Sequence, residues 1–303
     1  MTDTRRPFGR VLTAMVTPFR SDGGLDVPGA QRLASYLVDE GGNDGLVISG
    51  TTGESPTTTD EEKERLLRAV LEAVGDRAVV VAGVGTNDTA HTLHLAQVAE
   101  KVGATGLLAV TPYYNKPPQA GLLAHFRALA EATTLPTMLY DIPGRTGTPI
   151  ETETMVRLAE HPRIVAVKDA KGDLDASAWV MARTDLAFYS GDDKITLPLL
   201  SIGGVGVVGV PTHLVGPRTG EMIGAYESGD VQRALQLHRA LLPAFAGFFR
   251  AQGVVMAKAA LRLAGLPSGP VRPPLVDATA NQVDRLRADL AAAGVALAQD
   301  TTG

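Results

Sequence analysis

The sequence contains no cysteine and only one tryptophan. A chain without cysteine forms no disulfide, offers no thiolate nucleophile and provides no cysteine ligands for zinc or an iron–sulfur cluster. It also lacks a block of basic residues, and its net charge is −5, which argues against a nucleic-acid partner. Thiol chemistry is therefore excluded and nucleic-acid binding is disfavoured.

Long apolar segments are absent as well. No run of about 18 uncharged apolar residues would span a membrane. Residues 1–10 lack the apolar core and the cleavage site of a signal peptide. We therefore expect no membrane partner and a location in the cytoplasm.

What the chain does contain is enough apolar material for one large core, since 45% of its 303 residues are hydrophobic. Eight short runs rich in β-branched residues recur, with helical patterns between them. They begin at Val11, Gly45, Ala78, Thr105, Pro136, Arg163, Leu186 and Val205. Because these runs are continuous rather than alternating, they are typical of strands that are covered on both faces.

Eight strand and helix units in series predict an α/β fold, a (β/α)₈ TIM barrel, with an open doubly wound sheet as the alternative. The clearest helix is predicted over residues 60–74, behind an acidic start. After Val210 only helices are predicted, over residues 221–228, 230–250, 254–263 and 281–293. We therefore divide the chain into a barrel with a short N-terminal arm, residues 1–228, and a small C-terminal helical extension, residues 229–303.

In a barrel of this type, active-site residues lie at the carboxyl ends of the strands and on the loops that follow. Lys168 ends the sixth apolar run, in VAVKDA, where its ammonium group would be buried. Burial lowers the pKa of a lysine, and a neutral amine can attack a ketone to form an imine that acts as an electron sink. Lys168 is thus the candidate nucleophile. The alternative is a lysine that is paired for stability alone, with Asp141, Asp169 or Asp192.

Imine chemistry also requires a proton relay and groups that hold a carboxylate. Tyr140, at the end of the fifth run, is placed for the relay, and the hydroxyls of Thr51 and Tyr114 can extend it. The hydroxyl of Thr52 and the neighbouring loop amides can hold one carboxylate, and Arg145 can bind another. Core tyrosines with satisfied hydroxyls, and a solvated arginine on a loop, are the alternatives.

Gly204, Gly206 and Gly209 have the spacing G-x-G-x-x-G, which occurs in dinucleotide-binding loops. Here they lie within a strand-like run, and no amphipathic helix follows at once, so we expect no dinucleotide. Close approach of the backbone to a ligand in the barrel mouth explains the glycines better.

Two groups of residues have the composition of metal sites. His91 and His94 lie three residues apart on a predicted helix, but no carboxylate triad accompanies them. Asp141, Asp192 and Asp193 can together bind Mg²⁺, although Asp193 also suits the N-cap of the next helix. We expect neither a metal nor another cofactor.

Five motifs occur in order along the chain, namely GTTGES, TPYYNKP, LYDIPGRTG, VAVKDAKG and YSGDD. Together they resemble the dihydrodipicolinate synthase family of class I pyruvate aldolases, over residues 8–295. The resemblance implies a lyase that condenses pyruvate with L-aspartate-4-semialdehyde to 4-hydroxy-tetrahydrodipicolinate, toward diaminopimelate and lysine. It also implies a homotetramer, built as a dimer of dimers.

The resemblance assigns a role to each candidate residue. Lys168 would form the imine with pyruvate, and Tyr140 would be the central proton relay. Thr51 would connect that relay to Tyr114, which would reach in from a neighbouring subunit. The other roles concern substrate binding: Thr52 for the pyruvate carboxylate, Arg145 for the semialdehyde carboxylate, and the backbones of Gly191 and Val208 for the pocket wall.

Two alternatives stay open at this point. Related enzymes with the same fold and lysine cleave N-acetylneuraminate or 2-keto-3-deoxy sugar acids, although Arg145 favours a short second substrate that carries a carboxylate. A catalytically silent barrel that binds a keto acid is the other alternative. The presence of every expected functional side chain argues against it.

The resemblance bears on regulation as well. Relatives that lysine inhibits carry histidines and a glutamate in the effector pocket, where this chain has Asp60, Lys63 and His91. Three other positions of the pocket do match: Ser55, Asn87 and Tyr113. We therefore expect weak or absent inhibition by lysine.

Overall fold

The computed structural model describes residues 6–297 of the chain. Over this part, eight parallel strands form a closed barrel in chain order. They are β1 Val11–Ala14, β2 Gly45–Ile48, β3 Val79–Gly83, β4 Gly106–Val110, β5 Thr137–Asp141, β6 Ile164–Asp169, β7 Ala187–Ser190 and β8 Gly206–Gly209. β1 pairs with β8, with Leu12 beside Val208, which closes the sheet and rules out the open doubly wound alternative.

Helices alternate with the strands. They are α1 Val27–Asp39, α2 Asp60–Val74, α3 Thr89–Val102, α4 Gln119–Glu131, α5 Pro143–Thr146, α6 Thr152–Ala159, α7 Leu174–Met181, α8 Thr196–Ser201, α9 Thr212–Glu227, α10 Val231–Gly247, α11 Gly253–Leu263 and α12 Ala280–Ala292. Short 3₁₀ turns occupy Ser55–Thr57 and Asp193–Ile195. The predicted TIM barrel with a C-terminal helical extension is confirmed. No helix within residues 6–297 is both long and apolar enough to cross a bilayer.

The strands form where the apolar runs predicted them because both faces of each strand are covered. β2, β5 and β7 are buried along their whole length. Full burial of one valine or leucine side chain contributes about 1.5–3 kcal/mol. A short β-branched segment without a polar face is therefore stable only inside the molecule, between the barrel interior and the helices.

α2 begins at the predicted residue because Thr59 caps it. The Thr59 hydroxyl accepts a hydrogen bond from the backbone N–H of Glu62, and the Glu62 carboxylate accepts one from the N–H of Thr59. Acidic residues in the first turn also favour this end of the helix dipole. The cap fixes the far end of the loop that follows β2, and this loop contributes to the site described below.

The helix predicted over residues 221–228 is wrong in its start, since α9 begins at Thr212. The first half of α9 was not predicted because of Pro217: a proline inside a helix removes a backbone donor and normally ends the helix. The structure accommodates it with a kink at Val215, where φ is −119° and ψ is 17°. The three later helices lie within three residues of their predicted ends. The division of the chain at residues 228 and 229 falls between α9 and α10 and stays a prediction.

Candidate active site

A cavity of about 190 Å³ opens at the carboxyl ends of strands β2 to β5. This is the face at which (β/α)₈ barrels carry their active sites. Thr51, Tyr113, Tyr140 and Arg145 are among the residues that line it. Three of the sequence candidates, from the loop after β2, from β5 and from α5, therefore meet at one cavity.

Lys168 lies on the next strand, directly beside Tyr140. The two residues are register partners on β5 and β6, so their side chains leave the sheet on the same face. The Lys168 Nζ lies 4.3 Å from the centre of the Tyr140 ring. Each residue is 5% exposed. The amine thus adjoins the cavity and is shielded from bulk water.

Burial changes the charge state of Lys168. It lowers the pKa of the amine to about 8, against the opposing effect of Asp193 and with a smaller lowering by Arg145. At pH 8 about half of the amine molecules are therefore neutral, whereas an ordinary lysine would be almost fully charged. A neutral amine is the form that attacks a ketone.

If Lys168 were paired only for stability, its partner would be Asp141, Asp169 or Asp192. Each of these three carboxylates has another partner. Asp141 pairs with Lys171 at 3.5 Å. Asp192 pairs with Lys194 at 3.7 Å. Asp169 accepts a hydrogen bond from the backbone N–H of Lys171 at 2.8 Å. None of these contacts neutralises the candidate nucleophile.

The Tyr140 phenol is protonated at neutral pH. Burial raises its pKa to about 12, although Arg145 and a hydrogen bond with the Thr51 side chain favour the phenolate. A protonated hydroxyl that has a hydrogen-bonded neighbour and lies beside an amine can both donate and accept a proton. These are the properties that a proton relay requires.

The sequence predicted Asp193 as the N-cap of the next helix, and this prediction is wrong. The N-cap is Asp192, whose side chain accepts a hydrogen bond from the N–H of Lys194. Asp193 is 1% exposed; its Oδ2 accepts a bond from the Val210 N–H at 3.4 Å, and its Oδ1 has no hydrogen-bond partner within residues 6–297. Burial raises the pKa of this carboxyl to about 7, with Lys168 acting in the opposite direction. The charges of the carboxyl and the amine therefore depend on each other.

Two glycines leave room for these groups. A Cβ at Gly191 would lie 3.1 Å from the Lys168 Cγ, and a Cβ at Gly209 would lie 2.3 Å from the Asp193 Oδ1. A side chain at Gly209 would thus displace the buried carboxyl. The sequence predicted that the glycine-rich segment lets the backbone approach a ligand, which stays a prediction; at Gly209 the group that comes close is the Asp193 side chain of the same protein.

The candidate metal ligands have other contacts. The His91 ring bonds to Asp60 at 3.0 Å, and the His94 ring lies 4.0 Å from the same carboxylate. Asp141 is bound to Lys171, as described above. Across residues 6–297 no three histidine, aspartate or glutamate side chains gather in the geometry of a metal site.

The loop after β2 has an unusual backbone conformation. Ser49 and Glu54, which flank Thr51 and Thr52, have φ values of 58° and 55°. A left-handed conformation costs a residue other than glycine on the order of 1–3 kcal/mol and persists only where surrounding contacts enforce it. The conformation of the segment that carries both threonines is therefore maintained by contacts with other parts of the protein.

The Pro-Gly sequence predicted a loop around Arg145, but the residue lies on the short helix α5. Gly147, with φ 75°, ends this helix in the left-handed conformation. The arginine is exposed to solvent and lines the cavity. It is therefore free to bind a charged ligand there.

Three predicted site residues stand apart from the cavity in the single chain. Tyr114 is 88% exposed, has a left-handed backbone with a φ of 73°, and is not among the described residues that line the cavity. Thr52 is 7% exposed and Val208 is 1% exposed, and neither is among the described residues that line the cavity. The residues that do come together are Thr51, Tyr140, Arg145, Lys168 and, beside the lysine, Gly191.

Comparison with known proteins agrees with this geometry. The family described as dihydrodipicolinate synthetase matches residues 7–293. The chain belongs to this family. The 4-hydroxy-tetrahydrodipicolinate synthase of Acidothermus cellulolyticus is 80% identical to the chain over 288 residues, which cover 95% of this chain and 93% of that protein.

Solved structures of the dihydrodipicolinate synthetase family share the fold. The enzyme of Cyanidioschyzon merolae, with lysine bound, gives a TM-score of 0.94 at 46% identity and covers 96% of this chain and 99% of its own. The chloride-inhibited enzyme of Acinetobacter baumannii, complexed with pyruvate, gives 0.92 at 34% identity, with 95% and 100% covered. Family membership confirms the resemblance and the enzyme class inferred from the motifs.

Proposed function

We propose that the protein condenses pyruvate with L-aspartate-4-semialdehyde to 4-hydroxy-tetrahydrodipicolinate, in the biosynthesis of diaminopimelate and lysine, with Lys168 as the imine-forming amine. One observation carries the proposal: a buried amine of lowered pKa lies beside the protonated Tyr140 at the edge of the cavity. The relatives support the choice of substrates, since one bears the name of this synthase and another was solved with pyruvate.

The chemistry follows from the positions of these two groups. The neutral Lys168 amine attacks the ketone carbon of pyruvate, and loss of water leaves a protonated imine. The imine withdraws electrons, so the pyruvate methyl group loses a proton and the resulting enamine attacks the aldehyde carbon of the semialdehyde. The amino group of the semialdehyde then displaces the lysine and closes the ring. Tyr140, hydrogen-bonded to Thr51, moves the protons in these steps.

Both substrates carry a carboxylate, and each needs a partner. Thr52 and the amides of the loop after β2 hold the pyruvate carboxylate. Arg145 binds the semialdehyde carboxylate, because its planar guanidinium can donate two parallel hydrogen bonds. The backbones of Gly191 and Val208 complete the wall around the lysine side chain.

Tyr114 extends the proton relay from a neighbouring subunit. In the single chain this aromatic side chain is 88% exposed, and an assembly would cover it. We therefore propose a homotetramer, arranged as a dimer of dimers, in which the assembly completes each active site. The cytoplasmic location stays a prediction.

The proposal is tested by adding borohydride together with pyruvate. We expect a covalent adduct of pyruvate mass on Lys168, located by peptide mass spectrometry. If no adduct is detected on the wild-type protein, the proposal is refuted. Turnover is then compared between aspartate semialdehyde and N-acetylneuraminate, and faster cleavage of N-acetylneuraminate would assign the chain to a different aldolase activity.

Arg145→Ala is expected to damage the second half-reaction only. Loss of a doubly hydrogen-bonded charged contact costs about 3 kcal/mol, so kcat/KM for the semialdehyde should fall about 100-fold. Borohydride trapping of pyruvate should stay close to the wild-type level, because Arg145 does not touch the imine and burial, rather than Arg145, is the main cause of the lowered pKa of the Lys168 amine. Arg127→Ala is the control, since this partly exposed arginine pairs with Glu160 and does not line the cavity. Equal loss of trapping in Arg145→Ala and Lys168→Ala would show that the roles are assigned wrongly.

Inhibition by lysine is expected to be weak or absent. The Lys63 ammonium donates to the Thr58 carbonyl at 2.5 Å and lies 3.8 Å from Asp60. A lysine effector near these residues would therefore meet a like charge, and the acidic group there already has a cationic partner. Initial rates measured against rising lysine concentration check this expectation. Half-inhibition at sub-millimolar lysine would contradict it.

A further inference from the structure

The C-terminal extension reaches the loop after β2 through a buried ion pair. The Lys258 Nζ, on α11, lies 2.6 Å from the Glu54 Oε1, and the two side chains are 0% and 1% exposed. The Glu54 Oε2 accepts a hydrogen bond from the backbone N–H of Arg272 at 2.8 Å. Residues of the extension therefore bind both oxygens of this carboxylate.

Further contacts hold Lys258 in position. Its Nζ also donates to the Pro270 carbonyl at 2.7 Å and lies 4.2 Å from the centre of the Phe19 ring. The Arg272 guanidinium lies 4.0 Å from the same ring and donates two hydrogen bonds to Glu62, at 2.7 and 2.6 Å. The amine that meets Glu54 thus has little freedom to move.

On the barrel side, Glu54 ends the segment that carries Thr51 and Thr52. Its N–H donates to the Thr51 carbonyl at 3.2 Å, and the Gly53 carbonyl accepts a bond from the Thr17 hydroxyl at 2.6 Å. The φ of 55° at Glu54 is one that a residue with a side chain rarely adopts, so contacts beyond the local backbone must maintain it. The ion pair with Lys258 and the hydrogen bond from Arg272 that join the Glu54 carboxylate to the extension are such contacts.

Stability alone does not explain why the junction is charged. Two buried charges lose their hydration, which largely cancels their mutual attraction, so well-packed apolar residues would stabilise the same junction equally well or better. A carboxylate that accepts a hydrogen bond and also faces a buried cation fixes the position of its own backbone, whereas apolar packing does not specify direction. The ion pair is therefore better suited to holding a loop in place than to strengthening the fold.

We propose that Glu54 and Lys258 are positioning residues that hold Thr51 and Thr52 in the arrangement that binds pyruvate. The C-terminal extension then contributes to pyruvate affinity without touching the substrate. This inference rests on the proposed function, because pyruvate is the ligand whose binding the loop would control.

The test uses the full-length variants Glu54→Gln, Lys258→Met and the double variant. The pyruvate concentration for half-maximal borohydride trapping and the Tm are measured for each. The single variants leave one buried group unpaired and should lose both stability and pyruvate affinity. The double variant has no unpaired charge, so its Tm should recover, while half-maximal trapping should still need about tenfold more pyruvate because the loop is misplaced. The KM for the semialdehyde should change less.

Glu62→Gln is the matched control. It weakens another ion pair that joins the extension to the barrel, to Arg272, without removing a contact of Glu54, and a glutamine side chain can still accept the Thr59 N–H that caps α2. We expect a lower Tm and an unchanged pyruvate requirement. A double variant with wild-type pyruvate affinity would overturn the proposal, and so would an equal loss of affinity in Glu62→Gln. An adduct missing from the wild-type protein would instead refute the proposed function, and this inference with it.

Discussion

Lys168→Ala is expected to abolish the covalent capture of pyruvate and to lower kcat by at least about 10⁴-fold. The substitution removes the nitrogen that bonds to the ketone carbon, so no rearrangement of the cavity can restore the imine. The amine has no ion-pair partner within 4 Å among residues 6–297, and the buried Asp193 carboxyl can take up a proton when the amine is lost, so we expect the fold to be retained. Borohydride trapping followed by intact-mass measurement checks the loss.

Lys171→Ala is the matched control for this variant. Lys171 lies three residues beyond Lys168, but it pairs with Asp141 and is not among the described residues that line the cavity. Its loss should leave the adduct at the wild-type yield. An adduct of normal yield on Lys168→Ala would contradict the assignment, and peptide mapping would then identify the lysine that does react.

The strands could be predicted from the sequence because each is covered on both faces. A short continuous β-branched run has few other stable environments, so β1 to β8 lie where the runs predicted them. The start of α9 could not be predicted, since Pro217 normally ends a helix and only the packed structure shows the kink at Val215 that accommodates it. Local preference decided the strands, and tertiary packing decided this helix.

The site could be predicted to the extent that single residues conflict with their surroundings. Lys168 is conspicuous because a charge ends an apolar run, and Tyr140 because it ends the neighbouring run. The burial of Asp193 and its coupling to Lys168 were not predicted, because two aspartates follow β7 and only the structure shows which of them is buried. The contact between Glu54 and Lys258 was missed for a similar reason, since residues far apart in sequence give no local signal of pairing.

Tyr140→Phe is expected to lower kcat by about 10²–10⁴-fold, the range typical of a lost general acid–base group. The ring stays in place over the Lys168 amine, and only the hydroxyl that bonds to Thr51 is lost. Affinity for pyruvate should therefore change little, whereas every step that moves a proton slows. Steady-state kinetics, together with the time course of borohydride trapping, separate these two effects.

Tyr189→Phe controls for the loss of a buried tyrosine hydroxyl as such. Tyr189 is the register partner of Lys168 on β7, and its hydroxyl accepts a hydrogen bond from the Phe8 N–H at 3.2 Å. Removing this bond should cost about 0.5–1.5 kcal/mol of stability and leave kcat nearly unchanged. If both variants lost the same modest activity together with stability, the Tyr140 hydroxyl would be a structural group. If Tyr140→Phe has a low kcat but a normal Tm and a normal pyruvate requirement, the lost activity reflects proton transfer by the Tyr140 hydroxyl.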